Sequence, residues 1–216
     1  MSEADIIKLG ATILALTVAI VGHEIMHGWI AYKYGDTTAK SLGRLSINPL
    51  IHVDPVGTLL VPAVLYFSGA PFIFGWAKPV PINMHTVIRN GGTNAAVAVS
   101  LAGITYNFIL AALCAALLPA LIHPHSAFEA FITLFVYQTF LINILLGVFN
   151  LWPIPPLDGA QAVRFLAQGW NMKGFVAFYD KIYPYGMILL MVILFTPLSN
   201  LLFAPVGWIA NSLLHL

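Results

Sequence analysis

Apolar residues run almost unbroken through four stretches of the chain, 6–32, 95–121, 128–149 and 183–203. Each is long enough to cross a bilayer as a helix, which takes ~20 residues. The stretch 33–54 between the first two is polar, and Tyr34-Gly35-Asp36, Asn48-Pro49 and Asp54-Pro55 punctuate it as turns. A further apolar stretch, 56–74, is interrupted by Pro62, Gly69 and Pro71. Residues 75–83, which include Lys78-Pro79-Val80-Pro81-Ile82, read as extended chain, because the prolines lack the N–H that a helix interior needs. A polar loop is expected from there to Asn94. Pro153, Pro155 and Pro156 stop the 128–149 helix, and a short helix with a polar face is expected after Asp158. The tail 204–216 is too short to cross again.

Composition turns these stretches into membrane spans. Of 216 residues, 60% are hydrophobic and 8% charged, against roughly 25% charged in a soluble domain, and the mean hydropathy is +0.89. The net charge of +1 and the lack of a basic run give no reason to expect a nucleic-acid partner. Cys114, the single cysteine, lies within an apolar stretch and reads as a small core residue. The acidic start, Ser2-Glu3-Ala4-Asp5, lacks the positive region of a cleavable signal peptide, so the first span is expected to be retained.

Lys and Arg accumulate on the cytosolic side of membrane proteins. Here Lys33, Lys40 and Arg44 precede the interrupted stretch, Lys78 and Arg89 follow it, and Arg164, Lys173 and Lys181 follow Asp158, whereas the loop 122–127 has none. If both ends of 56–74 are cytosolic, that stretch dips in and returns, which is permitted where protein shields its backbone. The alternative is a short kinked span that reverses the two helices after it. Trp29, Trp76, Trp152 and Trp170 fall near the same face, as interfacial anchors do. The expectation is an all-α polytopic membrane protein of about four transmembrane helices, one re-entrant segment and a short extended or β element near the cytosolic face. Residues 1–216 form a single membrane-embedded domain with a core over 6–165 and a C-terminal span at 183–203.

Within the first span stands His23-Glu24-Ile25-Met26-His27. Residues i and i+4 of a helix are neighbours on one face, so the two imidazoles can hold one metal ion, with Glu24 beside them to handle the proton of an attacking water. Three polar side chains within five membrane positions are costly and call for a joint purpose. A catalytic zinc takes three protein ligands. Asp158, in the Pro-rich break, is the candidate third, with an ordinary helix N-cap as its alternative role. His52 and Asp54 either line the site or belong to a polar loop.

His23-Glu24-x-x-His27 together with Asn150-x-x-Pro153-x-Pro155-Pro156-Leu157-Asp158-Gly159 resembles the site-2 protease family of intramembrane zinc metalloproteases. The resemblance spans residues 15–165 and is closest to compact members without PDZ or CBS domains. It implies one Zn2+ per chain held by His23, His27 and Asp158, with Glu24 as catalytic acid/base and Asn150 contacting substrate or the oxyanion. It also implies a transmembrane protein as substrate, regulated intramembrane proteolysis, and a multi-pass prokaryotic inner-membrane protein with its active site toward the cytosol. It leaves open a regulatory membrane partner or homo-oligomer. Gly103-Ile104-Thr105-Tyr106-Asn107 departs from the family's Gly-Pro-x-x-Asn by lacking the proline, and Ala160 follows Gly159 where a second glycine is common. Gly103, Asn107, Pro156 and Gly159 are then supporting residues that keep helix packing near the site.

A substrate helix must be held extended to be cut. The N–H groups of Lys78, Val80 and Ile82 would lie along one edge, with Pro79 and Pro81 blanking the other, so Val80 and Ile82 are candidate substrate contacts by strand addition. A proline-rich connector is the equal alternative. Two other functions fit a polytopic metal-binding protein. A metal-ion transporter would scatter ionisable groups over several spans, which this chain does not. A non-catalytic zinc scaffold would have no need of Glu24.

Overall fold

The computed structural model describes residues 2–69, 74–121 and 123–214. They are mostly helical, and none forms a strand. α1 (Glu3–Lys33) opens with a reciprocal cap in which Ser2 Oγ accepts from the Asp5 N–H and Asp5 accepts from the Ser2 N–H. After α2 (Thr38–Ser41) come a 3-10 turn at Pro49–His52, a π-helical turn at Pro55–Leu60 and α3 (Val61–Phe67). Then follow α4 (Met84–Leu117), α5 (Ala127–Leu151), α6 (Asp158–Gly169), α7 (Lys173–Ile182), α8 (Gly186–Leu194) and α9 (Ser199–Leu214).

Four helical runs, Ala4–Lys33, Met84–Leu121, Ala127–Leu151 and Lys173–Leu194, are long and apolar enough to cross a membrane. The chain is an integral membrane protein. α1, α4 and α5 pack mutually as a three-helix core. α4 runs antiparallel to α1, since Tyr106 Oη donates to the Val18 carbonyl near one end while Asn90 donates to the Tyr34 carbonyl at the other. Gly22 makes the close approach possible, for any side chain there would collide with the Tyr106 ring.

α1 therefore ends where α4 begins, and the chain between them returns to that end. Asp36 ties the two ends together by accepting from the Thr38 hydroxyl (2.5 Å), the Thr38 N–H (3.0 Å) and the Asn83 N–H (2.6 Å). Burial works against its charge, but these bonds outweigh that and hold its carboxyl below the usual carboxylate range. The excursion in between also closes on itself, the Trp76 N–H donating to the Gly57 carbonyl at 3.1 Å. Residues 70–73 of the expected re-entrant stretch 56–74 lie outside the described residues.

Two expectations are corrected. The polar loop expected to run to Asn94 is helical from Met84, because Asn83 caps it by accepting from the Thr86 N–H, and polarity alone does not break a helix that is so capped. Its disturbance is confined to Gly92, whose φ of 69° is one that glycine adopts without strain. The last span is not a helix over 183–203. α8 ends at Leu194, Thr196 Oγ1 donates back to the Ile193 carbonyl, and Pro197 lacks the N–H to continue. The membrane-length run is Lys173–Leu194, and the expected tail is instead most of α9, whose 16 residues fall short of a full crossing.

The C-terminal helices brace the Pro-rich break. Tyr179 Oη donates to the Pro153 carbonyl (2.6 Å) and Trp152 Nε1 to the Leu202 carbonyl (3.1 Å). Leu157 packs with Leu190, Leu194 and Leu202.

Asp36→Ala removes three hydrogen bonds to a buried carboxylate at the α1–α4 join. A loss of about 2–4 kcal/mol is expected, measured as a drop of several degrees in the thermal unfolding midpoint of the purified chain relative to wild type.

Candidate metal centre and active site

The chemistry gathers where the last third of α1, the middle of α4 and the start of α6 meet. His23 and His27 lie one turn apart on α1, as their spacing requires, and both are 8% exposed. Their Nε2 atoms are 3.1 Å apart, and Asp158 Oδ2 is 3.0 Å from that of His23 and 3.2 Å from that of His27. Asp158 is not a cap. Leu157 takes the N-cap position, with no side-chain bond, and Asp158 is the first residue of α6. Its carboxylate is favoured there by the helix N-terminus.

The far sides of both rings decide which nitrogens carry protons. His27 Nδ1 lies 2.7 Å from the Val99 carbonyl, which can only accept, so Nδ1 holds a proton and Nε2 presents a lone pair when the ring is neutral, as a metal ligand must be. For His23 the same assignment comes through a relay. Asn143 Nδ2 donates to the Thr139 carbonyl, again accept-only, which turns Asn143 Oδ1 toward Asn107. Asn107 Nδ2 donates to it at 2.8 Å, leaving Asn107 Oδ1 to accept from His23 Nδ1 at 2.6 Å. The two Nε2 atoms and a carboxylate oxygen thus converge at 3.0–3.2 Å, an arrangement that a shared proton or a metal cation can hold together. Tetrahedral zinc, with bonds of about 2.0–2.1 Å, separates its ligand atoms by roughly 3.3 Å, close to the edges of this triangle. The donor set and its outer hydrogen bonds fit zinc.

Gly103 makes room for this. A Cβ there would stand 2.5 Å from His23 Cε1 and 2.5 Å from His27 Nε2. Gly103 thus borders both imidazoles, and Asn107 Oδ1 lies 2.6 Å from His23 Nδ1. Ile104, where the family pattern has proline, is buried in the part of α4 that follows the kink at Gly92. Gly159 lets the first turn of α6 lie against the end of α5, where a Cβ would collide with the Leu151 carbonyl. Pro156 follows Pro155 through a cis bond in the break between α5 and α6.

A cavity of about 110 Å³ opens beside the triad, bordered by Glu24, His27, Val80, Ile82, Ser100 and Asp158 among others. Glu24 Oε2 accepts from the Val80 N–H at 2.8 Å. The free strand edge expected at 78–82 is corrected here. No strand forms among the described residues, the Val80 N–H is held by Glu24, and the Lys78 N–H by the His52 carbonyl at 2.8 Å. Val80 and Ile82 nonetheless border the cavity. Asn150 does not border it, and its amide donates to the Leu146 carbonyl of its own helix at 3.0 Å. His52 and Asp54 belong to loop structure, Asp54 capping the π-helical turn by accepting from the Val56 and Gly57 N–H groups. A wider open depression of about 420 Å³ at Trp29, Tyr32 and Lys40 contains none of these groups. Asn143, Ser100 and Gln161, which were not singled out, adjoin the site. An asparagine in the middle of an apolar span was the available sign for Asn143.

Comparison with known proteins gives the family. The sequence is 36% identical over 198 residues to a Bacillus subtilis (strain 168) protein named "Putative zinc metalloprotease YwhC", covering 89% of this chain and 84% of that one. The chain belongs to peptidase family M50, the site-2 protease family of zinc metalloproteases. The model of that family matches residues 119–194. A Mycolicibacterium smegmatis relative, "Putative zinc metalloprotease Rip2", is 28% identical over 179 residues, 82% of this chain and 64% of its own length. The Rip2 protein of Mycobacterium tuberculosis (strain H37Rv) is 30% identical over 148 residues, 68% of this chain and 53% of its own. No solved structure matches.

Asn107→Leu takes away the acceptor that sets the His23 tautomer. Zinc affinity, measured by competition with a chelator, is expected to fall about 10–100-fold while the helical content of the chain is unchanged.

Proposed function

We propose that this chain is an intramembrane zinc metalloprotease of site-2 type, hydrolysing a peptide bond in or near a transmembrane segment of a membrane-protein substrate, as in regulated intramembrane proteolysis. The observation that carries the reading is the convergence of His23, His27 and Asp158 on one point, with Glu24 beside it on the same cavity. One Zn2+ per chain is held by those three side chains. When bound, zinc acts as a Lewis acid that acidifies a water and polarises the scissile carbonyl.

The rest is done by the chain's own residues. Val99 and Asn107 hold the two imidazoles with their Nε2 lone pairs forward. Glu24 takes the proton of the attacking water and returns it to the leaving amine. It is not needed as a ligand, which favours catalysis over a zinc scaffold. The convergence of the ionisable residues on one cavity, rather than along several spans, favours it over ion transport. Val80 and Ile82 contact the substrate backbone once Glu24 releases the Val80 N–H, and Asn150 contacts substrate after its side chain turns from Leu146. In this reading the stretch 56–74 is re-entrant, the site faces the cytosol, and the chain resides in a prokaryotic inner membrane.

The test is cleavage of a membrane-spanning substrate set by the purified full chain, with zinc quantified. Glu24→Gln is expected to keep one zinc and lose at least about 10³-fold in kcat, whereas His27→Ala loses both zinc and cleavage. Zinc bound by wild type without cleavage of any substrate would leave the scaffold reading standing. Absence of zinc from the wild type would remove the metal site altogether.

A further inference from the structure

The segment that covers the site is held by a buried cation for which the proposed reaction has no direct use. Arg44 is 8% exposed, the only Lys or Arg among the buried described residues, and no described carboxylate lies within ion-pair distance of it. An uncompensated buried charge is costly to keep, so what its donors hold is informative. Nη2 donates to the Lys78 carbonyl at 2.7 Å, while Nε has no partner among the described residues. The Lys78 N–H is gripped from the other side by the His52 carbonyl at 2.8 Å. His52 is itself buried, with Nε2 on the Ser46 carbonyl at 2.9 Å.

Both backbone polar groups of Lys78 are therefore fixed by the loop 44–52. Only Pro79, with its φ locked by the ring, separates Lys78 from Val80, whose N–H sits on Glu24. A shift at Lys78 is passed on to Val80 rather than absorbed. The same loop and segment converge on α1 directly after His27, where a Cβ on Gly28 would stand 2.7 Å from Leu45 Cδ2 and 2.8 Å from Val80 Cγ1.

We propose that Arg44 is a positioning residue. Through the Lys78 carbonyl it sets the Val80 N–H on Glu24 and thereby fixes the orientation of that carboxylate at the cavity. The catalytic half of this inference rests on the reading of Glu24 as acid/base, whereas the mechanical half does not. Since Pro79 and Pro81 carry no N–H, Val80 is the one exchangeable amide between them, and its hydrogen exchange reads the clamp directly.

The experiment compares wild type, R44M, R44K and V80P as full-length chains in detergent, measuring exchange at Val80 by fragment-resolved mass spectrometry alongside kcat, KM and zinc content. R44M is expected to speed exchange at Val80 at least about tenfold while amides in the middle of α4 are unchanged. It should lower kcat by about tenfold with KM and zinc within twofold of wild type. The R44M/V80P double variant should be no slower than V80P alone, because both changes act through one bond. Exchange at Val80 unaltered in R44M, a loss confined to KM, or losses that multiply in the double variant would each overturn the proposal. If R44M does not accumulate, R44K decides: it keeps the charge with a shorter reach, so about threefold faster exchange is expected, and a wild-type rate refutes the clamp. A wild type that cleaves nothing removes the protease reading alone and leaves the exchange arm to judge the clamp.

Discussion

Two imidazole nitrogens and a carboxylate oxygen held about 3 Å apart inside a membrane helix bundle form a triangle ready for a metal, and its geometry is one that packing must enforce. Here the enforcement comes from α4. Its backbone at Gly103 lies against both imidazoles, its Val99 carbonyl holds one ring and its Asn107 side chain the other. Gly22 and Gly103 are what allow the two helices so close. The antiparallel pairing of α1 with α4 is therefore the constraint on which the site depends, and Asp36 and Tyr106 fasten it at either end.

The orientation of His23 depends on a line of polar side chains that crosses all three core helices. It begins at the Thr139 carbonyl on α5, passes through Asn143 and Asn107, and ends at Nδ1 of His23. Each amide in this line uses its donor in one direction and its acceptor in the other, so flipping one would leave a donor facing a donor. Asn107 and Asn143 are fully buried. An unsatisfied polar group there would cost several kcal/mol, which makes the line strongly self-correcting. Asp158 is fixed by different means. The turn that presents it is anchored by Tyr179 and Trp152 and covered by the leucines of α8 and α9, so the helices after α6 act on the site without contributing a ligand.

What was legible beforehand follows from how local each signal is. His23, Glu24 and His27 are readable because a helix converts spacing into geometry by itself. Asp158 required a second motif, since no local rule distinguishes a ligand from a cap at a helix start. The spans over α1, α4 and α5 followed from long apolar runs. The last span was misplaced because Lys173, Asp180 and Lys181 read as a polar boundary. In the structure Asp180 is absorbed by Arg164 of α6 through two bonds of 2.5 and 3.1 Å, a pairing between residues sixteen apart that no periodicity announces. The helical start of α4 was hidden as well. The polar residues after Asn83 read as a loop, and the cap that Asn83 provides shows only in the structure.

The segment over 78–82 illustrates the limit of backbone reasoning from composition. Alternate prolines correctly implied that its N–H groups face one way, yet whether they face a substrate or the protein depends on what else is buried nearby. Glu24 and the His52 carbonyl both need donors in a place poor in water, and the segment supplies them. An N–H already bonded to a carboxylate is not lost to substrate recognition, because a substrate carbonyl could exchange for it as Glu24 turns to the water. Such an exchange replaces one hydrogen bond with another and so costs little net energy, provided that Lys78 stays anchored while Val80 changes partner. The backbone that covers the carboxylate before substrate arrives is then the backbone that receives the substrate, and a rigid hold on Lys78 keeps the two roles in register.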